Sequence, residues 1–307
     1  MAAVIVADGV RHAYKSGTVA LDDVSLEIGT GLFGLLGSNG AGKSTLMRII
    51  CTLLVPTAGR VTVNGLDVVT ERRAVRRMFG YLPQEWSAWR LQTVTEVLDT
   101  LAALSGLTDP KVRKRRIPEV LESVGLAKVA NRKVKQLSGG MVRRLGVAQA
   151  LVHEPKVLIV DEPTVGLDPE ERLRFRQLMA DLGRDRAIVL STHIVADLGA
   201  GCSDLALLHR GRVEFRGSPA ELVGLAAGKV VEVTVPETAE ADATRQLEVV
   251  ARESADGRVA LRGVIKGGEA PQGARAVDDV TLEEAYLAFM VERGRHVDDL
   301  EPTGGAR

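Results

Sequence analysis

A glycine-rich loop, placed between an apolar run and a helical pattern, constrains this chain more than any other stretch. Residues 32–46 read LFGLLGSNGAGKSTL, and residues 37–44 fit the spacing G-x-x-x-x-G-K-[ST] of a phosphate-binding loop. The apolar residues before the loop suit a buried parallel strand. Glycine lets the loop backbone approach an anion closely, and the N-terminus of the following helix attracts negative charge. The stretch therefore predicts a nucleoside triphosphate site in an α/β protein, and the full spacing argues against an ordinary glycine turn.

The phosphate loop suggests roles for its own side chains. Lys43 can reach the β- and γ-phosphates, and the hydroxyl group of Ser44 can ligate Mg²⁺. Backbone N–H groups of the loop would point at the phosphates. The residues expected to bind the nucleotide are Gly37, Ser38, Asn39, Gly40, Ala41, Gly42, Lys43, Ser44 and Thr45.

The composition narrows the class of protein. Lys plus Arg equals Asp plus Glu at 40 each, so the chain shows no overall basic signal for nucleic acid. Cys51 and Cys202 are its two cysteines, form no C-x-x-C pair, and are expected to be reduced thiols of a cytosolic protein. We find no stretch of 18 apolar residues, so we expect any membrane-spanning part to belong to another chain.

Two later apolar runs end in residues that can carry chemistry. Asp161 and Glu162 follow the run at residues 157–160, and His193 follows the run at residues 187–190. In open α/β sheets, ligands bind beyond the carboxyl ends of the strands. Two adjacent carboxylates there can divide the work, one holding Mg²⁺ and the other polarising a water molecule. A lone histidine is more often structural, but its place at a strand end makes it a candidate too.

Between the phosphate loop and these runs lies a stretch with helical spacing, predicted as a helical subdomain at about residues 85–155. It follows Gln84, a polar amide that can touch a metal or water, or merely face solvent. The basic run at residues 111–116 is typical of a solvated helix face. Contact with a lipid headgroup or a nucleic acid is the alternative.

The sequence LSGGM at residues 137–141 opens a further helix within this stretch. Ser138 can cap the helix N-terminus, while Gly139 and Gly140 leave its N–H groups uncovered. That geometry can receive a second phosphate. As a capping signal alone it would be unremarkable.

Taken in order, these motifs make the chain resemble the nucleotide-binding subunit of an ABC (ATP-binding cassette) transporter. Residues 37–45 look like the Walker A loop, LSGGM like the family signature, and VLIVDEP like Walker B. Gln84 in YLPQ looks like the Q-loop, Asp168 in GLD like the D-loop, and His193 like the switch histidine. Met141 stands where the commonest signature has Gln, and SGGM followed by VRRLGVAQAL is similar to the branch of drug-resistance and related exporters.

The resemblance implies catalytic and metal-binding roles. Mg²⁺ would contact Ser44, Gln84 and Asp161, the last directly or through water. Glu162 would be the general base that activates the attacking water, and His193 would hold the γ-phosphate. Charge stabilisation by Mg²⁺, the phosphate-loop lysine and the signature N–H groups would supply most of the catalysis.

The resemblance also implies an ATP-dependent dimer. Adenine would stack on Tyr14 of the same chain. Ser138, Gly139 and Gly140 would act on ATP bound to the opposite subunit, and Asp168 would belong to the same nucleotide site. ATP would then join two cassettes, and hydrolysis would release them.

The predicted fold is a P-loop NTPase of the ABC type, with a mostly parallel core sheet, an antiparallel β subdomain and the helical subdomain. This domain is expected at residues 1–225. Residues 226–292 are expected to form a small C-terminal α/β accessory module, and residues 293–307 a disordered tail. Residues 229–307 hold 10 basic and 16 acidic residues and no catalytic motif.

The resemblance implies partners and a location. The expected partners are a membrane permease and a second cassette, most simply another copy of this chain, with no specific nucleic acid. The protein would power export from the cytoplasmic face of the plasma membrane, attached through the permease. The alternative is a soluble ABC ATPase that acts on ribosomes or DNA. Such proteins usually carry two cassettes, long coiled coils or zinc modules, and this sequence has none of them.

Overall fold

The computed structural model describes residues 4–199 and 201–294, and the chain divides into two compact units, Met1–Arg216 and Gly217–Arg307. The tail predicted at residues 293–307 lies, from residue 295 onward, outside the described residues. The elements up to the unit boundary are β1 (Ile5–Ala13), β2 (Val19–Ile28), β3 (Gly31–Leu36), α1 (Lys43–Ile50), β4 (Ala58–Val63), β5 (Leu66–Asp67), α2 (Arg72–Arg76), β6 (Phe79–Leu82), α3 (Val94–Leu104), α4 (Pro110–Ser123), α5 (Gly139–Leu151), β7 (Val157–Asp161), α6 (Pro169–Leu182), β8 (Ala187–Thr192), β9 (Cys202–His209) and β10 (Arg212–Gly217).

The larger sheet has six strands in the order β10-β9-β3-β8-β7-β6. Strand β3 pairs in parallel with β8 and β9, and β7 pairs in parallel with β6 and β8, which confirms the predicted mostly parallel core sheet. Strands β7 and β8 are buried at every residue, because helices and loops cover both faces of such a sheet. Their carboxyl ends lie at one edge, beside those of β3 and β6.

The smaller sheet of this unit is the predicted antiparallel one, with the order β2-β1-β4-β5. Asn64 and Gly65 both have positive φ, as a tight turn between β4 and β5 requires. One buried cluster contains side chains of both sheets and of α1, among them Leu21, Phe33 and Met47. This shared core fixes α1 and the phosphate loop before it against the strands.

Helices α3, α4 and α5 form the predicted helical insertion between β6 and β7. The basic run lies on α4, where Arg113 contacts Asp99 at 2.7 Å and two carbonyl groups of the preceding loop. Arg116 donates to the carbonyl groups of Leu151 and Val152 at the end of α5. Two of the five basic residues of the run therefore make contacts within the protein that hold its helices together.

The second unit contains a four-stranded sheet with the order β12-β13-β11-β14. Its elements are α7 (Pro219–Leu225), β11 (Val230–Pro236), α8 (Glu240–Gln246), β12 (Leu247–Ala255), β13 (Arg258–Ile265), β14 (Arg275–Ala276) and α9 (Leu282–Val291). Thr281 and Glu284 form a capping box at the N-terminus of α9. Helix α7 packs against α9 and so belongs to this unit, whereas the sequence placed it in the first domain.

Candidate nucleotide site

Two glycines of the loop between β3 and α1, Gly37 and Gly42, stand where a side chain would not fit. A Cβ atom on Gly37 would lie 2.3 Å from the carbonyl oxygen of Leu208. A Cβ atom on Gly42 would lie 2.5 Å from the carbonyl oxygen of Ala20, and the φ of Gly42 is +107°. Both positions therefore require glycine, which lets the loop backbone pack closely against the neighbouring carbonyl groups.

Lys43 begins α1 and turns its ammonium group back over the loop. Its Nζ atom donates to the carbonyl oxygens of Gly37 at 2.6 Å and Ser38 at 3.2 Å. The same atom lies 3.2 Å from Oε1 of Glu162, and both side chains are buried. A cation is thus held between the loop and the end of strand β7, where the sequence predicted phosphate binding and catalysis.

Glu162, immediately after β7, occupies an unusual backbone position. Its φ is +46°, in the left-handed region that non-glycine residues seldom enter. Its N–H group donates to the carbonyl oxygen of Ser191 at 3.2 Å and to the hydroxyl group of the same serine at 3.1 Å. Oε2 of Glu162 lies 2.5 Å from Nδ1 of His193, which follows β8. The parallel pairing of β7 and β8 brings these two predicted residues together.

Ser44 and Asp161 form the oxygen-rich corner where Mg²⁺ was expected. The Ser44 hydroxyl group lies 3.5 Å from Oδ1 of Asp161, and Ser191 donates its hydroxyl group to the same oxygen at 2.6 Å. Asp161 is 3% exposed. A hard divalent cation prefers such hydroxyl and carboxylate oxygens, usually completed by phosphates and water, so the donor set fits Mg²⁺.

Tyr14 and Gln84 border a cavity of about 290 Å³ together with the phosphate loop and Glu162. The hydroxyl group of Tyr14 lies 3.0 Å from Oγ1 of Thr45, and its ring packs edge-to-face on His12. The tyrosine is therefore fixed beside the loop while remaining 36% exposed. Gln84 is exposed in the loop after β6. Stacking of adenine on Tyr14 and metal contact by Gln84 stay predictions.

Comparison with known proteins identifies the family. Residues 21–165 match the family described as ABC transporter. The chain is 38% identical over 206 residues to the uncharacterized ABC transporter ATP-binding protein YxlF of Bacillus subtilis, covering 67% of this chain and 68% of that one. It is also 38% identical over 228 residues to the Nod factor export ATP-binding protein I of Rhizobium sp., covering 73% and 74%. The chain belongs to the ABC transporter ATP-binding proteins.

Solved cassettes share its fold. The dimeric structure of MJ0796, a bacterial ABC transporter cassette, is 28% identical, has a TM-score of 0.62, and aligns over 70% of this chain and 98% of its own. The cbiO1 protein of Clostridium perfringens, part of the ABC transporter complex cbiONQ, is 26% identical with a TM-score of 0.67, covering 73% and 92%. The chain is therefore an ABC-type P-loop ATPase whose hydrolysis serves transport. No helix among the described residues is long and apolar enough to cross a bilayer.

The signature and the D-loop of this ABC protein lie apart from the cavity in the single chain. Ser138 caps α5 by accepting the N–H group of Met141, and Asp168 caps α6 by accepting that of Glu171. Gly140 is buried against Glu171, while Gly139 is exposed. None of the predicted signature or D-loop residues lines the cavity that Tyr14, the phosphate loop and Glu162 share.

Sequence reasoning missed two polar residues near the site, the buried Asp197 and the half-buried Arg143. Asp197 is 3% exposed and accepts hydrogen bonds from Thr164, two residues after Glu162, and from Thr192, one residue before His193. A polar residue within the apolar stretch IVADL was the signal that marked it. Arg143, on the signature helix, is the second of these residues. Its partners are backbone carbonyl groups, which every residue has, so no sequence pattern marks the contact.

Proposed function

We propose that this ABC ATPase is the subunit that powers export of a substrate through a separate membrane permease. The observation that carries the catalytic part is the chain of contacts from Lys43 through Glu162 to His193 at the mouth of the phosphate loop. The export part rests on relatives. One is named for Nod factor export, and the Escherichia coli protein YbhF, named as a probable multidrug transporter subunit, is 37% identical over 203 residues, although these cover only 35% of YbhF.

In the proposed mechanism, the loop N–H groups and Lys43 bind the phosphates of ATP. Ser44, Asp161 and Gln84 would hold Mg²⁺, which would neutralise charge that develops on the phosphate oxygens. Glu162 accepts the proton of the attacking water as general base. His193 orients the Glu162 carboxylate through Nδ1 and holds the γ-phosphate with its other ring nitrogen.

The signature residues complete the site across a dimer. Because Ser138 and Gly139 are exposed and lie away from the cavity of their own chain, a second copy would present them to the γ-phosphate. The dimeric cassette among the structural relatives supports this arrangement. Asp168, exposed at the start of α6, would lie at the same dimer contact.

The two tryptophans after Gln84 separate into different environments. Trp86 packs against α5, since a Cβ atom on Gly146 would lie 3.0 Å from its ring. Trp89 is 48% exposed and can anchor a partner. We therefore propose Trp89 as the permease anchor, with the protein held at the cytoplasmic face of the plasma membrane through that contact.

Purification of the tagged chain from detergent-solubilised membranes tests the transport role. A multi-spanning membrane protein should co-purify, and Trp89→Ala should weaken its retention while basal ATP hydrolysis stays unchanged. Trp86→Ala is the comparison, expected to lower thermal stability instead. Salt-sensitive retention on ribosomes or DNA, without a membrane protein, would favour the alternative function.

A further inference from the structure

Arg143 of α5 joins the ends of two core strands through backbone carbonyl groups. All three guanidinium nitrogens donate, and none of these bonds exceeds 3.1 Å. The acceptors are the carbonyl oxygens of Pro83 and Gln84 after β6, and of Asp161, Glu162 and Pro163 at the end of β7.

The hydrogen bonds of Arg143 begin where the backbone pairing of β6 with β7 ends. The last paired residues of β6 and β7 are Leu82 and Val160. Pro83 has no N–H group and cannot extend the ladder, so the carbonyl groups beyond this point need another donor. The planar fork of Arg143 supplies it to both segments of the chain at once. The Q-loop and the Walker B segment are thereby fixed to each other rather than diverging as independent loops.

The electrostatic setting favours a permanent contact. Burial lowers the pKa of the Arg143 guanidinium, and the charges of Asp161 and Glu162 oppose that shift. An arginine stays protonated at all physiological pH values, so the fork keeps its donors. Its charge also faces the two carboxylates on which metal binding and water activation depend.

Glu162 gains most from this contact, because its backbone is left-handed. Such a conformation costs about 1–3 kcal/mol and persists only when its surroundings hold it. Ser191 holds the N–H side of Glu162, while Arg143 holds the carbonyl groups on both sides of its Cα atom. We propose that Arg143 is a positioning residue for ATP hydrolysis, which fixes the Glu162 carboxylate and ties it to the Q-loop. This inference rests on the proposed role of Glu162 as the base.

Arg143→Met and Arg143→Lys in the full chain test it. Misplacing a catalytic group by about 1 Å can cost on the order of 10²-fold in rate, so kcat should fall by about that factor in the methionine variant. KM for ATP and the affinity for a fluorescent ATP analogue should remain as in the parent. Lysine should not restore kcat, because a single ammonium group cannot donate to five carbonyl groups in two separate segments.

Arg116→Met is the matched control. Arg116 also donates to carbonyl groups of this helical region, but at the far end of α5. It should leave kcat unchanged, whatever stability it loses.

Each outcome decides the proposal. A wild-type kcat in either Arg143 variant overturns it, as does a loss of nucleotide affinity that matches the loss of kcat. Failure of both variants to fold also overturns it, since Arg143 would then be only structural. Glu162→Gln, measured in parallel, separates the two levels. A native rate there removes the proposed base, whereas a loss there with a native rate in Arg143→Met removes only the positioning role.

Discussion

Each unit of this chain contains a buried glutamate paired with a cation, and the two pairs differ in what else they touch. Glu162 is 5% exposed and faces Lys43 in the first unit. Glu284 is 3% exposed and faces Arg262 in the second. Burial and charge pairing are therefore shared, and neither of them marks a catalytic site.

The pair in the second unit is closed on itself. Glu284 accepts from Arg262 at 2.6 and 3.0 Å and from the N–H group of Thr281, so it finishes the N-terminus of α9. The remaining donors of Arg262 go to Glu232 and Asp279. Hydrogen bonds from Arg262 lower the pKa of Glu284. Every group has an internal partner, as a structural element requires.

The pair in the first unit lines the nucleotide cavity, so a ligand can reach it. Glu162 has a left-handed backbone, and its carboxylate contacts the imidazole ring of His193. The ammonium group of Lys43 donates to two carbonyl groups of the loop and also contacts Glu162. Cavity size alone would place the functional site in the second unit. That unit contains a cavity of about 750 Å³, whereas the nucleotide cavity is about 290 Å³. The proposed base therefore differs from Glu284 in its left-handed backbone and its contact with His193, and not in the volume of the cavity beside it.

Lys43→Ala should show the largest effect. Hydrogen bonds to charged groups contribute about 1.5–3 kcal/mol each, so losing this cation should weaken ATP binding by about 10²-fold and reduce hydrolysis at least as much. Binding of a fluorescent ATP analogue and phosphate release measure both. Lys229→Ala is the control, because Lys229 is paired with Glu292 in the second unit at 2.6 Å. Equal losses of ATP binding and hydrolysis in the two variants would contradict the functional difference between the two units.

Glu284→Gln should act on stability alone. Removing one partner of a buried charged hydrogen bond should cost the second unit about 1–3 kcal/mol of unfolding free energy, with ATP turnover unchanged. Denaturant unfolding, followed in parallel with phosphate release, measures this. Glu240→Gln breaks the more exposed pair with Arg252 and should cost about 1 kcal/mol or less. An ATPase defect in Glu284→Gln would assign this carboxylate a role in hydrolysis.

The stabilisation by the pair of Glu284 and Arg262 should depend on pH. A glutamate whose pKa is lowered by folding contributes stability above its unfolded value, near 4.5, and loses it as the pH falls through the folded value. The stability difference between the parent and Glu284→Gln should therefore be constant above about pH 5 and shrink below about pH 4.5. Unfolding curves at several pH values measure it. A difference that grows on acidification contradicts the assignment.

Removal of residues 217–307 should have the smallest effect on the site. All predicted nucleotide contacts lie before that boundary, so ATP affinity should be retained. The cut is made at 217 because α7 packs with α9. We propose that this unit regulates or steadies the cassette dimer, and dimerisation is therefore the property to compare. A folded truncation without any ATP binding would show that the second unit contributes to the site.

Much of the site was predictable because motif and topology coincide. Glu162 and His193 follow apolar runs, and parallel strands bring their carboxyl ends to one edge. The left-handed φ of Glu162 was not predictable, since it results from contacts with Ser191 and Arg143. Arg143 itself binds carbonyl groups that every residue carries.

The second unit was harder to predict. Strand β12 and helix α8 were missed, because most side chains of β12 are exposed and show no apolar alternation. The predicted boundary at residue 225 left helix α7 in the first domain, because its assignment to a unit depends on a long-range contact with α9. Local patterns define elements, and only tertiary packing assigns them to a unit.

The central claim is that Glu162 is the base and that ATP joins two copies of this chain. The decisive measurement is gel filtration of purified Glu162→Gln with Mg²⁺ and ATP, with hydrolysis measured on the same sample. Losing a general base costs about 10²–10⁴ in rate, so ATP should bind, persist and hold a dimer that ADP returns to monomer. Adding Ser138→Arg should abolish that dimer by blocking the opposite γ-phosphate. A Glu162→Gln protein that stays monomeric with ATP and hydrolyses it at the native rate would contradict the claim.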